Sequence, residues 1–145
     1  MSRILMISGY GALTLEKGGA FYNTLAEFSR YWTHIDIICP RSATPVRSPF
    51  PNVQIHPSPW SIVWQSWWIV QKGYALFQDG GYDAMIVHEY PPFYNGIGAR
   101  WLHQKNRVPY IEEFFHIVGH PRAYGLKEWA YKILTFVCAR YVTRY

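Results

Sequence analysis

The chain opens with a short apolar strand, a glycine-bearing loop and a helix, and this order constrains the fold more than any other feature. The strand reads Arg3-Ile4-Leu5-Met6-Ile7-Ser8 and the loop runs from Gly9-Tyr10-Gly11-Ala12 to Lys17-Gly18-Gly19. The helix starts at Ala20 and carries Phe21, Leu25 and Phe28 on one face. A glycine loop at the carboxyl end of a first parallel strand lets backbone N–H groups approach a phosphate. The N-terminus of the helix that follows adds a partial positive charge. The opening therefore points to a Rossmann-like nucleotide or sugar-phosphate site. The spacing is not G-x-G-x-x-G and no Gly-Lys-Ser/Thr follows, so neither the dinucleotide fingerprint nor a P-loop is present. A second reading of Gly18 and Gly19, a tight turn before a helix, stands beside the phosphate reading.

The remainder of the chain alternates in the same way. His34–Cys39 reads as a second strand stopped by Pro40, and 41–52 is a loop with Pro45, Pro49 and Pro51. Val53–His56 is a short third strand, Trp60–Gln78 a helix ended by Gly80-Gly81, and Ala84–His88 a fourth strand. Phe93–Lys105 is a helix, Tyr110–Phe115 a fifth strand, and Leu126–Val142 a last helix with Leu126, Trp129, Ile133, Val137 and Tyr141 at helical spacing. Such alternation predicts an α/β fold: a Rossmann-like parallel sheet with helices on both faces, forming one domain over residues 1–145. Ligands then bind outside the carboxyl ends of the strands, here Ser8–Gly11, His88–Pro92 and Phe115–His120. The chain ends just after an apolar helix, where such a sheet usually continues, so the domain reads as incomplete at its C-terminus.

Composition narrows the class. Half of the residues are apolar and 19% are aromatic, which excludes disorder. A net charge of +5, from 14 Lys and Arg against 9 Asp and Glu, suits phosphate, anionic lipid or nucleic acid without choosing among them. Cys39 and Cys138 read as buried free thiols of a reducing compartment. No signal peptide precedes the first strand and no run reaches about 18 apolar residues, so a cytoplasmic chain without a transmembrane helix is expected.

Three segments in this order carry a family resemblance. Gly18-Gly19 opens the first helix, YDAMIVHEYPP (Tyr82–Pro92) leads to a helix with Gly96 and Gly98, and NRVPYIEEFFHIVGHP (Asn106–Pro121) is a proline-led strand ending in a histidine. The chain resembles, over almost its whole length, the N-terminal domain of retaining GT-B glycosyltransferases (glycosyltransferase family 4-like). The resemblance implies a two-domain hexosyltransferase that moves a sugar from a nucleotide-diphosphate sugar to a sugar or lipid-linked acceptor hydroxyl. The donor-binding C-terminal domain or subunit is then lacking, and the chain alone is expected to be inactive. Gly18 and Gly19 would meet the donor diphosphate. His116 would hydrogen-bond the transferred sugar and stabilise charge in the transition state. The segment from Pro109 to His116 is about a residue longer than the usual form, so Phe115 and His120 compete for that place.

The remaining candidates come with two readings each. His88 and Glu89, at the tip of strand four, either position the acceptor hydroxyl or cap the next helix. Glu112 and Glu113 lie on opposite faces of strand five by alternation. They are a polar group near the cleft or the partner of a buried Arg or His, with Glu113 nearer the tip, or else solvated carboxylates of an edge strand. His116 and His120 lack the further ligands that zinc needs, so no metal is expected. No D-x-D and no G-x-S-x-G occur, which removes the metal-chelating diphosphate site of the other glycosyltransferase fold and the nucleophile elbow.

The helix over Trp60–Gln78 places Trp60, Trp64, Trp67 and Trp68 on one face about 100° wide, with an aliphatic face beside it. Tryptophan favours membrane interfaces, and Arg41, Arg47 and Lys72 could meet anionic lipid. The expected location is thus the cytoplasm, with peripheral contact to the inner membrane face. Packing on the proline-rich loop or on the missing domain are the other uses of this face. Scattered Lys and Arg match no nucleic-acid module, so no nucleic-acid partner is expected. A rival function is a non-catalytic, membrane-docking, acceptor-presenting subunit of a split glycosyltransferase. A dehydrogenase is disfavoured because Cys39-Pro40-Arg41, and no acidic residue, closes strand two.

Overall fold

A computed structural model describes residues 2–9, 19–43, 46–114 and 125–143. In chain order the elements are β1 (Arg3–Ile7), α1 (Ala20–Tyr31), β2 (His34–Cys39), β3 (Val53–Pro57), α2 (Gln65–Asp79), β4 (Ala84–Glu89), α3 (Tyr94–Asn106), β5 (Tyr110–Phe114) and α4 (Leu126–Val142). The five strands form one sheet in the order β3-β2-β1-β4-β5, and every pairing is parallel. The fold is α/β and Rossmann-like.

The strands are near-continuous apolar runs because both faces of a parallel sheet are covered. Alternation then divides them. Leu5, Ile7, Ile38, Met85 and Val87 face one side and pack with Ile69 and Leu76 of α2 and Ala99 and Leu102 of α3. Ile4, Met6, Ile35, Ile37, Val53 and Ile86 face the other and pack with Phe21 and Leu25 of α1. The two helices of the first face approach closely: a Cβ on Gly73 of α2 would collide with the Leu102 side chain of α3. The C-terminus of α1 is held by the loop before β3, where the Asn52 amide donates to the carbonyls of Ser29 (2.9 Å) and Trp32 (2.8 Å). Cys39 and Cys138 are free and buried, and burial pushes the Cys39 thiol up to about 12, which leaves it unreactive.

One charge sits inside the sheet. Asp36 of β2 is 1% exposed and draws four partners from three strands and a loop. His56 Nε2 lies 2.7 Å from Oδ1 and His34 Nε2 2.9 Å from Oδ2. The Tyr82 hydroxyl donates to Oδ2, and the Arg3 guanidinium stands 3.8 Å away while stacking on the Tyr82 ring. Burial alone would raise this carboxyl. The hydrogen bonds from His56 and Tyr82 and the charge of the two histidines outweigh it, and the net effect lowers the carboxyl below its usual range.

The helix expected from Trp60 begins at Gln65 instead. Ser58 ties off the preceding segment: its N–H donates to Cys39 C=O (2.8 Å) and its Oγ accepts the Trp60 N–H (3.1 Å). Ile62–Trp64 then forms a single 3-10 turn before α2. Trp60 is therefore out of phase with the helix. Trp68 is half-buried against the core, its indole N–H reaching the His56 carbonyl (3.5 Å) and its ring meeting Trp60 edge-on. The four tryptophans do not share one face. Trp64 and Trp67 remain exposed, with Ile62 and Val63 beside them.

Removing Asp36 strands Tyr82, His34, His56 and Arg3 around an empty position. Asp36→Ala should lower unfolding stability by about 3–5 kcal/mol, read from urea denaturation. Because folding depresses this carboxyl, its contribution is complete above the ordinary aspartate range and is lost as pH falls through the folded value. Acid destabilisation should accordingly be weaker in Asp36→Asn than in the wild type.

Candidate functional site

From β1 the sheet grows through β2 to β3 on one side, and through β4 to β5 on the other. The direction reverses between β1 and β4, so the crevice for a ligand lies beyond their carboxyl ends. Ser8 and Gly9 stand at the tip of β1; His88, Glu89 and Tyr90 stand at the tip of β4. Gly19 caps α1 with extended backbone, and no side-chain cap or first-turn acid occupies that helix start.

On the α1 face, His88 and Glu113 are register partners, with Nδ1 3.4 Å from Oε2. His88 is 3% exposed, and the Phe21 ring of the first turn of α1 packs against it, centroids 5.2 Å apart at 77°. Burial pushes the imidazole below its usual value, and the Glu113 charge opposes this only in part. His88 is thus neutral near pH 7. The carboxylate half of the pair is open to solvent, with a Glu113 side-chain exposure of 46%.

On the α3 face the chemistry is different. Glu89, 1% exposed, accepts the Tyr90 N–H at Oε2 (3.1 Å) and the Gly96 N–H of the first turn of α3 at Oε1. It caps that helix. Glu112 of β5 approaches the same spot: a Cβ on Gly96 would collide with the Oε1 atoms of Glu112 and Glu89 and with Val142 of α4. Burial, together with the neighbouring Glu112 charge, pushes Glu89 up to about 9 despite the Tyr90 hydrogen bond. Burial pushes Glu112 up to about 7. At neutral pH this pair holds at least one proton.

The two readings of His88 and Glu89 divide here, with Glu89 taking the helix-capping one. Consecutive strand residues point to opposite faces; the structure joins His88 with Glu113 and leaves Glu89 as a buried helix cap. Gly19 lies at the start of α1 as expected. Gly18, Phe115, His116 and His120 lie outside the described residues.

Between the faces, a hollow of about 60 Å³ is lined by Gly9, Ile62, Tyr90, Pro92, Tyr94 and Asn95 among others. The Asn95 amide donates to His88 C=O (2.9 Å) and so ties the hollow to the histidine. Tyr90 lies within the strand end His88–Pro92 singled out in the sequence, whereas sequence reasoning missed Asn95, which stands in no recognisable motif. It also missed Gln65, fully buried at the start of α2, whose amide atoms have no hydrogen-bond partner among the described residues. A signal for Gln65 existed: it is the polar member of the buried stripe Gln65, Ile69, Gly73 and Leu76. Among the described residues no His, Cys, Asp and Glu cluster is placed to hold a metal ion, and no helix is long and apolar enough to cross a membrane.

The fold and this crevice define a Rossmann-like domain with a buried histidine–carboxylate pair at its switch point. No protein-family model matches the chain, and no curated protein matches it in sequence.

The Glu89–Glu112 pair has a measurable consequence. Folding raises both carboxyls, so the folded state binds more protons than the unfolded state. Their contribution is complete below the ordinary glutamate value and is lost as pH rises through about 7 for Glu112 and about 9 for Glu89. Urea midpoints should decline toward alkaline pH in the wild type, and Glu112→Gln should flatten that decline while leaving mildly acidic stability unchanged.

Proposed function

We propose that this chain is the acceptor-side, N-terminal domain of a retaining GT-B-type glycosyltransferase. The observation that carries the reading is the neutral, buried His88, backed in register by Glu113 and seated against the first turn of α1 at the switch point. His88 helps to position the acceptor hydroxyl, and Glu113 stands beside its imidazole. The α1 N-terminus, without a first-turn acid, suits the diphosphate of a nucleotide-sugar donor near Gly18 and Gly19. Sugar passes from that diphosphate to the acceptor oxygen with retention, and the nucleoside diphosphate leaves. His116 is assigned to the transferred sugar, with Phe115 and His120 as the alternatives for that place. Most of the donor is held by a second Rossmann-like domain or subunit.

A second reading, a membrane-docking, acceptor-presenting subunit, draws on a separate observation. Ile62, Val63, Trp64 and Trp67 are 52%, 60%, 60% and 56% exposed, and Ile62 also lines the hollow. An apolar, tryptophan-bearing edge beside an acceptor site suits a lipid-linked acceptor at a membrane surface. Of the basic residues expected to help, Arg41 lies just beyond the carboxyl end of β2. Arg47 precedes the opposite end of β3.

The purified chain should bind saccharide acceptors without transferring sugar to them. Saturation-transfer NMR against free and lipid-linked saccharides tests this. His88→Ala should weaken binding by about 1–3 kcal/mol, the cost of a lost buried hydrogen bond, and Glu113→Gln by less. If no saccharide binds saturably, the acceptor reading fails. If the chain alone turns over a nucleotide-sugar, the two-half reading fails.

Co-sedimentation with vesicles of phosphatidylcholine, with and without phosphatidylglycerol, tests the membrane surface. The wild type should pellet with vesicles, and the Trp64→Ser, Trp67→Ser double variant should remain in the supernatant. Both indoles are exposed, so the double variant should keep the wild-type circular dichroism spectrum. Wild-type protein that stays in the supernatant with both vesicle types removes the membrane reading.

A further inference from the structure

The core gives Gln65 no partner. The residue is fully buried at the start of α2, and among the described residues neither its amide oxygen nor its amide nitrogen has a hydrogen-bond partner. A buried amide left unpaired costs free energy that an apolar side chain of similar shape would not. The rest of its stripe, Ile69, Gly73 and Leu76, is apolar or small, as a face packed on a sheet requires.

Its place in the fold is beside the hollow. α2 leads from β3 to β4 within a parallel sheet, so the helix runs back and its start lies at the carboxyl ends of the strands. The Gln65 N–H donates to the Ile62 C=O, and the Ser66 hydroxyl donates to the Tyr94 C=O (2.6 Å). Ile62 and Tyr94 both line the hollow. Gln65 thus sits between two attachments to the hollow's wall, one turn before Ile69 enters the core.

The wall suits one kind of ligand. Ile62, Tyr90, Pro92 and Tyr94 present apolar surface, which matches the C–H face of a saccharide or cyclic polyol. A Cβ on Gly9 would collide with the Tyr90 ring, so glycine keeps that ring close to the tip of β1. A volume of about 60 Å³ is far below the roughly 300 Å³ of a pocket for a whole ligand, so the hollow takes one edge of a larger molecule.

We infer that Gln65 is a specificity-determining residue that recognises a vicinal diol of the acceptor: its Oε1 accepts from one hydroxyl and its Nε2 donates to the neighbouring one. An amide offers an acceptor and a donor side by side, and two adjacent hydroxyls answer both. A lipid chain answers neither, and an anion answers only the donor. The inference rests on the acceptor-side reading for its ligand and on Gln65 for its place.

The probes are methyl glucoside, methyl mannoside and myo-inositol, added to the isotope-labelled full chain. The readout is the NMR signal of the Gln65 side-chain amide, assigned by its absence from Gln65→Met and Gln65→Leu. A diol-bearing probe should shift this signal saturably. Removing one hydroxyl of the recognised pair should weaken binding to the wild type by about three- to ten-fold, and should weaken binding to the two variants by less than about two-fold. Without ligand, both variants should unfold at a urea midpoint no lower than that of the wild type. Lower midpoints in both, or failure of both to fold, show that the amide is already satisfied in the free chain and overturn the inference. So does a signal that no probe moves, or an equal loss on deoxygenation in all three chains. A saccharide that binds through His88 and leaves the Gln65 signal unmoved removes the diol site and keeps the acceptor reading. Inositol that shifts the signal where no saccharide binds removes the acceptor reading and keeps the diol site.

Discussion

The parallel pairing of β1 with both β2 and β4 is the constraint on which the rest of the structure depends. A parallel strand cannot be joined to its neighbour by a tight turn, so each step needs a long crossover, and most of those here carry a helix. Placing β1 in the middle sends one set of crossovers to each side. That puts α1 on one face and α2 and α3 on the other, and it opens a crevice where the two directions part. Gly9, Gly19 and His88 meet there because of topology: they are as many as 79 residues apart in the chain, yet β1 and β4 are hydrogen-bonded neighbours.

Alternation along β4 and β5 turns one acidic, histidine-containing patch into two sites with opposite chemistry. His88 and Glu113 face α1, where the carboxylate reaches water beside a buried imidazole. Glu89 and Glu112 face α3 and α4, where burial wins over the capping hydrogen bonds and protons are retained. The same residue type is a carboxylate open to water on one face and a protonated helix cap on the other. Solvent access decides which.

Two areas of apolar surface lie outside the core. Ile62–Trp64 and Trp67 form one such area at the carboxyl ends of the strands, and α4 with β5 forms another at the sheet edge. Their settings differ. The first has its backbone satisfied by a 3-10 turn and α2, so side chains alone are offered. The second joins an exposed helix arc to the last strand of the sheet.

Much of the fold was legible in the sequence. β2 and α4 run over His34–Cys39 and Leu126–Val142 as read from apolar periodicity and flanking breakers, and the parallel sheet followed from the alternation of elements. The opposite orientation of Glu112 and Glu113 was also legible, because it follows from strand geometry alone. The start of α2 was not: tryptophans at 60, 64, 67 and 68 continue a helical period by coincidence, and the Ser58 hydrogen bonds that interrupt it involve a residue of β2. The partner of His88 was not legible either. Its sequence neighbour Glu89 was the obvious candidate, but partnership in a sheet is set by register across strands, and that places Glu113 opposite. The sequence by itself determined which segments are strands and helices, since local periodicity and turn residues carry that information. Tertiary structure alone decided which side chains share a face and which carboxyls are buried, because those properties arise only when distant strands are brought into register.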